Sequence, residues 1–216
     1  MGTLLYREDI DEVKKRLTLW WNNGDIGRPA MLLRAARSKP LEKIKPALKP
    51  KDWVTNYSTS NFDYRIFLSA ATCINTHYLA ETVPTVAHCL GPNCLALFLG
   101  CRGVDGLDTV WFEPCIRNPE EAAFVYDPKN FYWVFTLRLA REQIRLARGK
   151  FLVEFPDLIE GLDTLATIRG TEGFLTDLSD RPKWVHHSLR QITDRHFHYY
   201  DILYDLIRDE TGGSVF

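Results

Sequence analysis

Glu154 and Asp157 stand three residues apart in K-F-L-V-E-F-P-D-L-I-E-G-L-D-T-L-A-T-I-R-G, residues 150–170. Phe151 to Phe155 is a short apolar run holding one carboxylate, Pro156 ends it, and Asp157 follows at its exit. The pattern reads as a buried strand, a turn and the start of a helix. Parallel strands in α/β proteins present their chemistry at their carboxyl ends, so carboxylates there are placed to move a proton. The structural alternative is that Asp157 caps the next helix or braces the turn. Glu113, at the exit of D-T-V-W-F-E-P (108–114), repeats the arrangement. His88 and Asn93 flank a strand-to-helix turn in V-A-H-C-L-G-P-N-C. An imidazole there can serve as a base or a ligand, or sit satisfied at the edge of the core. Arg34 and Arg37 close A-M-L-L-R-A-A-R. Two guanidiniums at a strand end can clamp carboxylate or phosphate, with surface ion pairs as the alternative.

Metal chemistry has weaker support. The five cysteines, at 73, 89, 94, 101 and 115, include no C-x-x-C pair, and buried cysteine commonly serves as a small hydrophobe. An odd number of cysteines in a chain of 216 residues argues against a disulfide framework and for a reducing, cytoplasmic setting. His186, His187, His196 and His198 fall in one long helical stretch but out of phase, so they read as surface and edge residues. No metal site is expected. A formal net charge of -1 removes the basic excess that nucleic-acid binders carry. No apolar run approaches the ~20 residues of a membrane span, and the N-terminus lacks the apolar core of a secretory signal.

The elements that must position these residues follow from periodicity. Helices are expected over 7–21, 62–79, 131–148, 171–178 and 183–208, with a short one after Asn93. Asn118-Pro119 starts another, with Asn118 as cap. Strands are expected at 30–33, 83–90, 108–114 and 151–155, and the Lys/Pro-rich stretch 38–51 reads as surface loop. Alternating strands and helices argue a parallel α/β sheet. Neither G-x-G-x-x-G nor G-x-x-x-x-G-K-[ST] occurs, so the nucleotide-binding fingerprints are missing.

Four stretches, in order, carry a family likeness: W-W-N-N-G-D-I-G-R-P-A (20–30), L-G-P-N-C-L-A-L-F-L-G (90–100), D-T-V-W-F-E-P (108–114) and F-P-D-L-I-E-G-L-D-T-L-A-T-I-R-G-T-E (155–172). Together they resemble the uroporphyrinogen decarboxylase superfamily, above all its decarboxylase-like branch related to cobalamin-dependent methyltransferases. The resemblance implies a (β/α)8 TIM barrel with an N-terminal helical extension (residues 1–28). A full barrel takes about 250 residues or more, so the expected fold is one domain over 1–216: a partial barrel, about four parallel strands with their helices. The frame adds Glu154, Asp163 and Asn93 to Arg34 and Arg37 as substrate-binding candidates, with Asp157, Glu113 and His88 as catalytic ones.

The implied function is a methyltransferase- or decarboxylase-type enzyme, or half of one, acting on a tetrapyrrole, corrinoid or methylated small molecule, with a corrinoid (cobalamin) as the candidate cofactor. The alternative is a non-catalytic half-barrel that binds a ligand or assembles. Expected partners are the small-molecule ligand and a second copy or complementary half-barrel subunit, with no nucleic acid and no membrane. The sequence departs from the family in T-V-A-H-C-L-G-P-N (85–93), where decarboxylases carry an Asp and this chain has no carboxylate. The methyltransferases' His-x-Cys zinc motif is also missing.

Overall fold

The computed structural model describes residues 4–159, 161–208 and 214–215. The N-terminal helix α1 (Ile10–Trp21) buries Ile10 and Val13, one turn apart, and leaves its charged face in water. The first strand, β1 (Leu32–Ala36), pairs antiparallel with β2 (Thr76–Ala80), which follows helix α2 (Phe62–Asn75) without a linker. The expected single helix over 62–79 therefore ends four residues early. T-H-Y-L-A pairs as a strand, and its β-branched and aromatic residues suit that state.

Strand β3 (Thr85–Ala87) leads through a glycine turn into the short helix α3 (Cys94–Phe98). Next comes a hairpin of β4 (Arg102–Asp105) and β5 (Val110–Glu113). A four-residue link is too short for the crossover a parallel pair requires, and the turn closes by a Gly106 N–H to Thr109 carbonyl bond of 2.8 Å. A 3₁₀ turn at Pro119–Glu121 follows, capped by Asn118 as expected. Helix α4 (Phe131–Ala147) starts on the Asn130 side chain, which accepts the Trp133 N–H. Strand β6 (Leu152–Glu154) then leads to α5 (Gly161–Arg169), α6 (Thr171–Asp180) and the long α7 (Pro182–Ile207).

The partial barrel of four parallel strands is not what forms. The described residues carry three two-stranded sheets, of which only β3–β6 is parallel. That pair aligns Thr85 with Leu152, Val86 with Val153 and Ala87 with Glu154. Glu154 also bridges Val215 in parallel sense. Two of the expected strands fail as barrel staves because each found an antiparallel partner that the sequence reading had not counted as strand, β2 for β1 and β4 for β5.

The main core lies among α3–α7. Trp133 of α4, Phe98 of α3 and Tyr199 of α7 pack together, with ring centroids 4.8–5.1 Å apart. The polar atoms are provided for: Trp133 donates to the Tyr126 hydroxyl at 3.2 Å, and the Tyr199 hydroxyl donates to the Phe98 carbonyl at 3.3 Å. A second cluster, including Tyr6, Cys73, Val86, Phe151 and Val153, fills the space under the parallel pair. Two buried carboxylates tie segments together. Glu81 receives Arg28 through both of its oxygens, Arg16 at 2.8 Å and the Met31 N–H at 3.0 Å. Those partners hold its carboxyl down at about 2. Asp177 of α6 binds Arg169 and Arg181, each at 2.7 Å, fastening α5 and the start of α7 to it.

Candidate active site

The two strands of the parallel pair end side by side, and the chain beyond them builds two adjoining clefts. Thr85, Val86 and Ala87 line the first cleft and Ala87 and Cys89 the second, and along 85–89 burial alternates, with Val86 and His88 buried and Thr85, Ala87 and Cys89 more open. Period-two pleating imposes this. On the other strand Glu154 lines both clefts and accepts the Thr85 hydroxyl.

The first cleft, about 260 Å³, is polar. Arg34 and Arg65 line it with Ser69, Thr72 and Thr85. Arg65 is buried, and its guanidinium donates to backbone carbonyls: Cys89 at 2.8 Å, Tyr57 and Ser58 at 3.3 Å. These are neutral acceptors, and burial pulls the Arg65 pKa down to about 10. A cation in that setting favours an anion close by.

The second cleft, about 580 Å³, is walled by aromatic rings. Phe155 stacks on Tyr200 at 4.8 Å and 12°, and His196 lies one turn before Tyr200, 6.2 Å between centroids. Cys89, Asp157 and Glu154 line the same cleft. The loop after β6 is laced to the turn after β3: the Asp157 N–H meets the Cys89 sulfur at 3.4 Å, and the Asp157 carbonyl accepts the Cys94 N–H at 2.9 Å. Asp157 thus braces the turn through its backbone, while its carboxylate, on an exposed residue, borders the cleft. A cleft with a flat apolar wall and a few convergent polar groups is the usual form of a small-molecule site.

The structure therefore brings together Arg34, Glu154 and Asp157 and separates the other candidates from them. Arg34 sits inside β1 rather than at its exit, opposite Tyr78. Arg37 turns to the Thr76 carbonyl at 2.9 Å and lines a different hollow. Glu113 ends a strand of the antiparallel hairpin, exposed and facing Arg102 at 3.6 Å. Asp163 is exposed in the first turn of α5. Asn93 is the α3 cap, accepting the Ala96 N–H at 3.1 Å and donating to Thr167 at 3.2 Å. Sequence reasoning passed over Arg65 and Tyr200, and it read Cys89 as a small buried hydrophobe and His196 as a surface or edge residue of its helix. The signals were present: His196 and Tyr200 stand four residues apart along α7, and only a helix read face by face reveals that they line one cleft together. Among the described residues no group of three or more His, Cys, Asp or Glu side chains could hold a metal.

His88 lies fully buried, neither ring nitrogen has a hydrogen-bond partner, and it lines neither cleft. Burial, aided by the Arg65 charge, pulls its pKa down to about 3. The unfolded chain binds this proton near 6.5, so stability is full above that value and falls as pH drops from 6.5 toward 3. Glu81 acts in the same direction lower down, between its ordinary value of 4.5 and about 2. Urea unfolding is expected to show about 2 kcal/mol less stability at pH 5 than at pH 7. His88→Leu should remove that upper limb and leave the Glu81 limb, whereas unchanged pH dependence in the variant would contradict the assignment.

No family model, curated protein or solved structure matches the chain. Among the described residues no helix is long and apolar enough to cross a membrane.

Proposed function

We propose that this chain binds a carboxylate-bearing planar small molecule, of the tetrapyrrole or corrinoid kind, and acts on it as a decarboxylase- or methyltransferase-type enzyme. The observation that carries this is the convergence, at the carboxyl ends of the parallel pair, of Arg34 and Arg65 on one side and Glu154 and Asp157 beside an aromatic wall on the other. The arginines would hold substrate carboxylates, by the charge-assisted bonds that guanidinium forms well. Phe155 and Tyr200, stacked on each other at the cleft, would give a conjugated ring an aromatic surface to pack on. Asp157 would act as the proton donor or acceptor at the reacting carbon. Absorption titration with a polycarboxylate porphyrin and, separately, with cobalamin tests the reading. A saturable band shift with either ligand is expected; no shift with both, from a chain that is folded by circular dichroism, overturns it.

A non-catalytic assembly role is the second reading. Every residue of β1 is exposed, and Leu32 keeps 75% of its surface in water. A second copy of the chain laid on that strand would cover it, and solution mass by light scattering would reveal the dimer.

A further inference from the structure

The turn between β3 and α3, C-L-G-P-N-C, places the Cys89 and Cys94 sulfurs 3.6 Å apart. The two thiols differ in access. Cys89 lines the larger cleft, and Cys94 lies fully buried behind it. The turn is held in this shape from several sides. Gly91 takes φ +130°, and a side chain there would meet Val110 at 3.0 Å. Leu90 N–H points at the Cys94 sulfur at 3.2 Å, and Asp157 N–H at the Cys89 sulfur. As a thiol, Cys89 donates to the Gly91 carbonyl at 2.8 Å. As a thiolate it can only accept, and the Cys94 S–H, helped by the Asp157 N–H, lowers the Cys89 pKa to about 7. Burial and the contact with Cys89 push Cys94 up, so it keeps its proton until called on.

We propose that Cys89 and Cys94 are a reversible dithiol–disulfide couple, in which Cys89 reacts with a low-molecular-weight disulfide entering from the cleft and Cys94 resolves the adduct. The Cys89 thiolate attacks one sulfur of the incoming disulfide. That S–S bond breaks, and one thiolate leaves, taking up the proton Cys89 has shed. Cys94 then gives up its proton and attacks the Cys89 sulfur of the mixed disulfide, and the second small thiolate leaves carrying that proton. The two protein thiols lose two electrons, and the small disulfide becomes two thiols. Ring closure requires the sulfurs to approach by about 1.5 Å, from 3.6 Å to the bond length of about 2.05 Å. The exchange follows the general rule that the accessible low-pKa thiolate attacks the disulfide first and a neighbouring thiol then resolves the mixed disulfide. This couple is independent of the ligand reading above, since its chemistry needs only the two sulfurs and access to one of them.

The test is peptide mass mapping of the full chain after equilibration in glutathione redox buffers and alkylation. The wild type is expected to give a Cys89–Cys94 cross-link that reverses with excess reduced glutathione. Cys94→Ser should instead accumulate one glutathione on Cys89. Cys101 and Cys115, whose sulfurs lie 3.8 Å apart, provide an internal comparison in the same digest. The proposal fails if Cys89 stays free in oxidised glutathione, if only Cys101 and Cys115 join, or if Cys94→Ser collects no adduct on Cys89. The wild-type map decides the matter on its own should the variant not fold.

Discussion

Trp133→Ala should cost about 3–5 kcal/mol, the range for deleting a large aromatic from a closed core. Trp133 is fully buried and touches the rings of Phe98, Tyr126 and Tyr199. Those contacts join α3 and α4 to α7, so the hole cannot be filled by moving one element alone. The alanine also leaves the Tyr126 hydroxyl without its indole donor. In a chain of this length the loss translates to a Tm lower by roughly 6–20 °C. Chemical denaturation of Trp133→Ala beside Trp133→Phe measures it, with the phenylalanine retaining most of the stability. A loss under about 1 kcal/mol for the alanine would mean that the aromatic group is not the keystone of this core.

Asp157→Asn should behave in the opposite way, with large loss of activity and little loss of stability. The backbone of Asp157 carries the bonds that lace the two turns, and an asparagine preserves both. Its carboxylate is the group that borders the cleft. General acid–base groups contribute about 10²–10⁴ in rate. The expected result is a fall of at least about 100-fold in decarboxylation of a polycarboxylate porphyrinogen or in methyl transfer from methylcobalamin, with Tm changed by a few degrees at most. A large fall in Tm with no separable kinetic effect would return Asp157 to the role of a turn brace.

The contrast between these two residues shows which parts of the molecule the sequence made legible. Helices α1, α4 and α7 stand close to where their periodic apolar positions placed them, because a long amphipathic pattern leaves little choice of state. The strand at 152–154 and its exit at Asp157 were equally plain. Pairing was not legible. Nothing in A-M-L-L-R-A-A-R states that its partner is T-H-Y-L-A, forty residues on, because strand pairing is a non-local choice decided by packing. Reading 76–79 as the end of a helix removed that partner from view, and leaving Arg102–Asp105 unassigned removed the partner of β5. An alternation of strands and helices then pointed to a parallel barrel that the chain does not form. Within the site, the carboxylates were found because strand exits are visible in sequence. Arg65 and Tyr200 were missed because each reaches the cleft from a helix, where only the folded arrangement tells which face turns inward.

The central claim is that Arg34 and the aromatic wall hold one ligand across the joined clefts. The most direct measurement is the equilibrium titration of a polycarboxylate porphyrin into the wild type, Arg34→Ala and Tyr200→Ala, followed by its absorption band. Each substitution should weaken binding about tenfold, equivalent to about 1.4 kcal/mol, with Arg34→Ala also reducing the salt dependence of binding. Equal affinity in all three proteins would contradict the account, because the ligand would then be bound somewhere other than the carboxyl ends of the parallel strands.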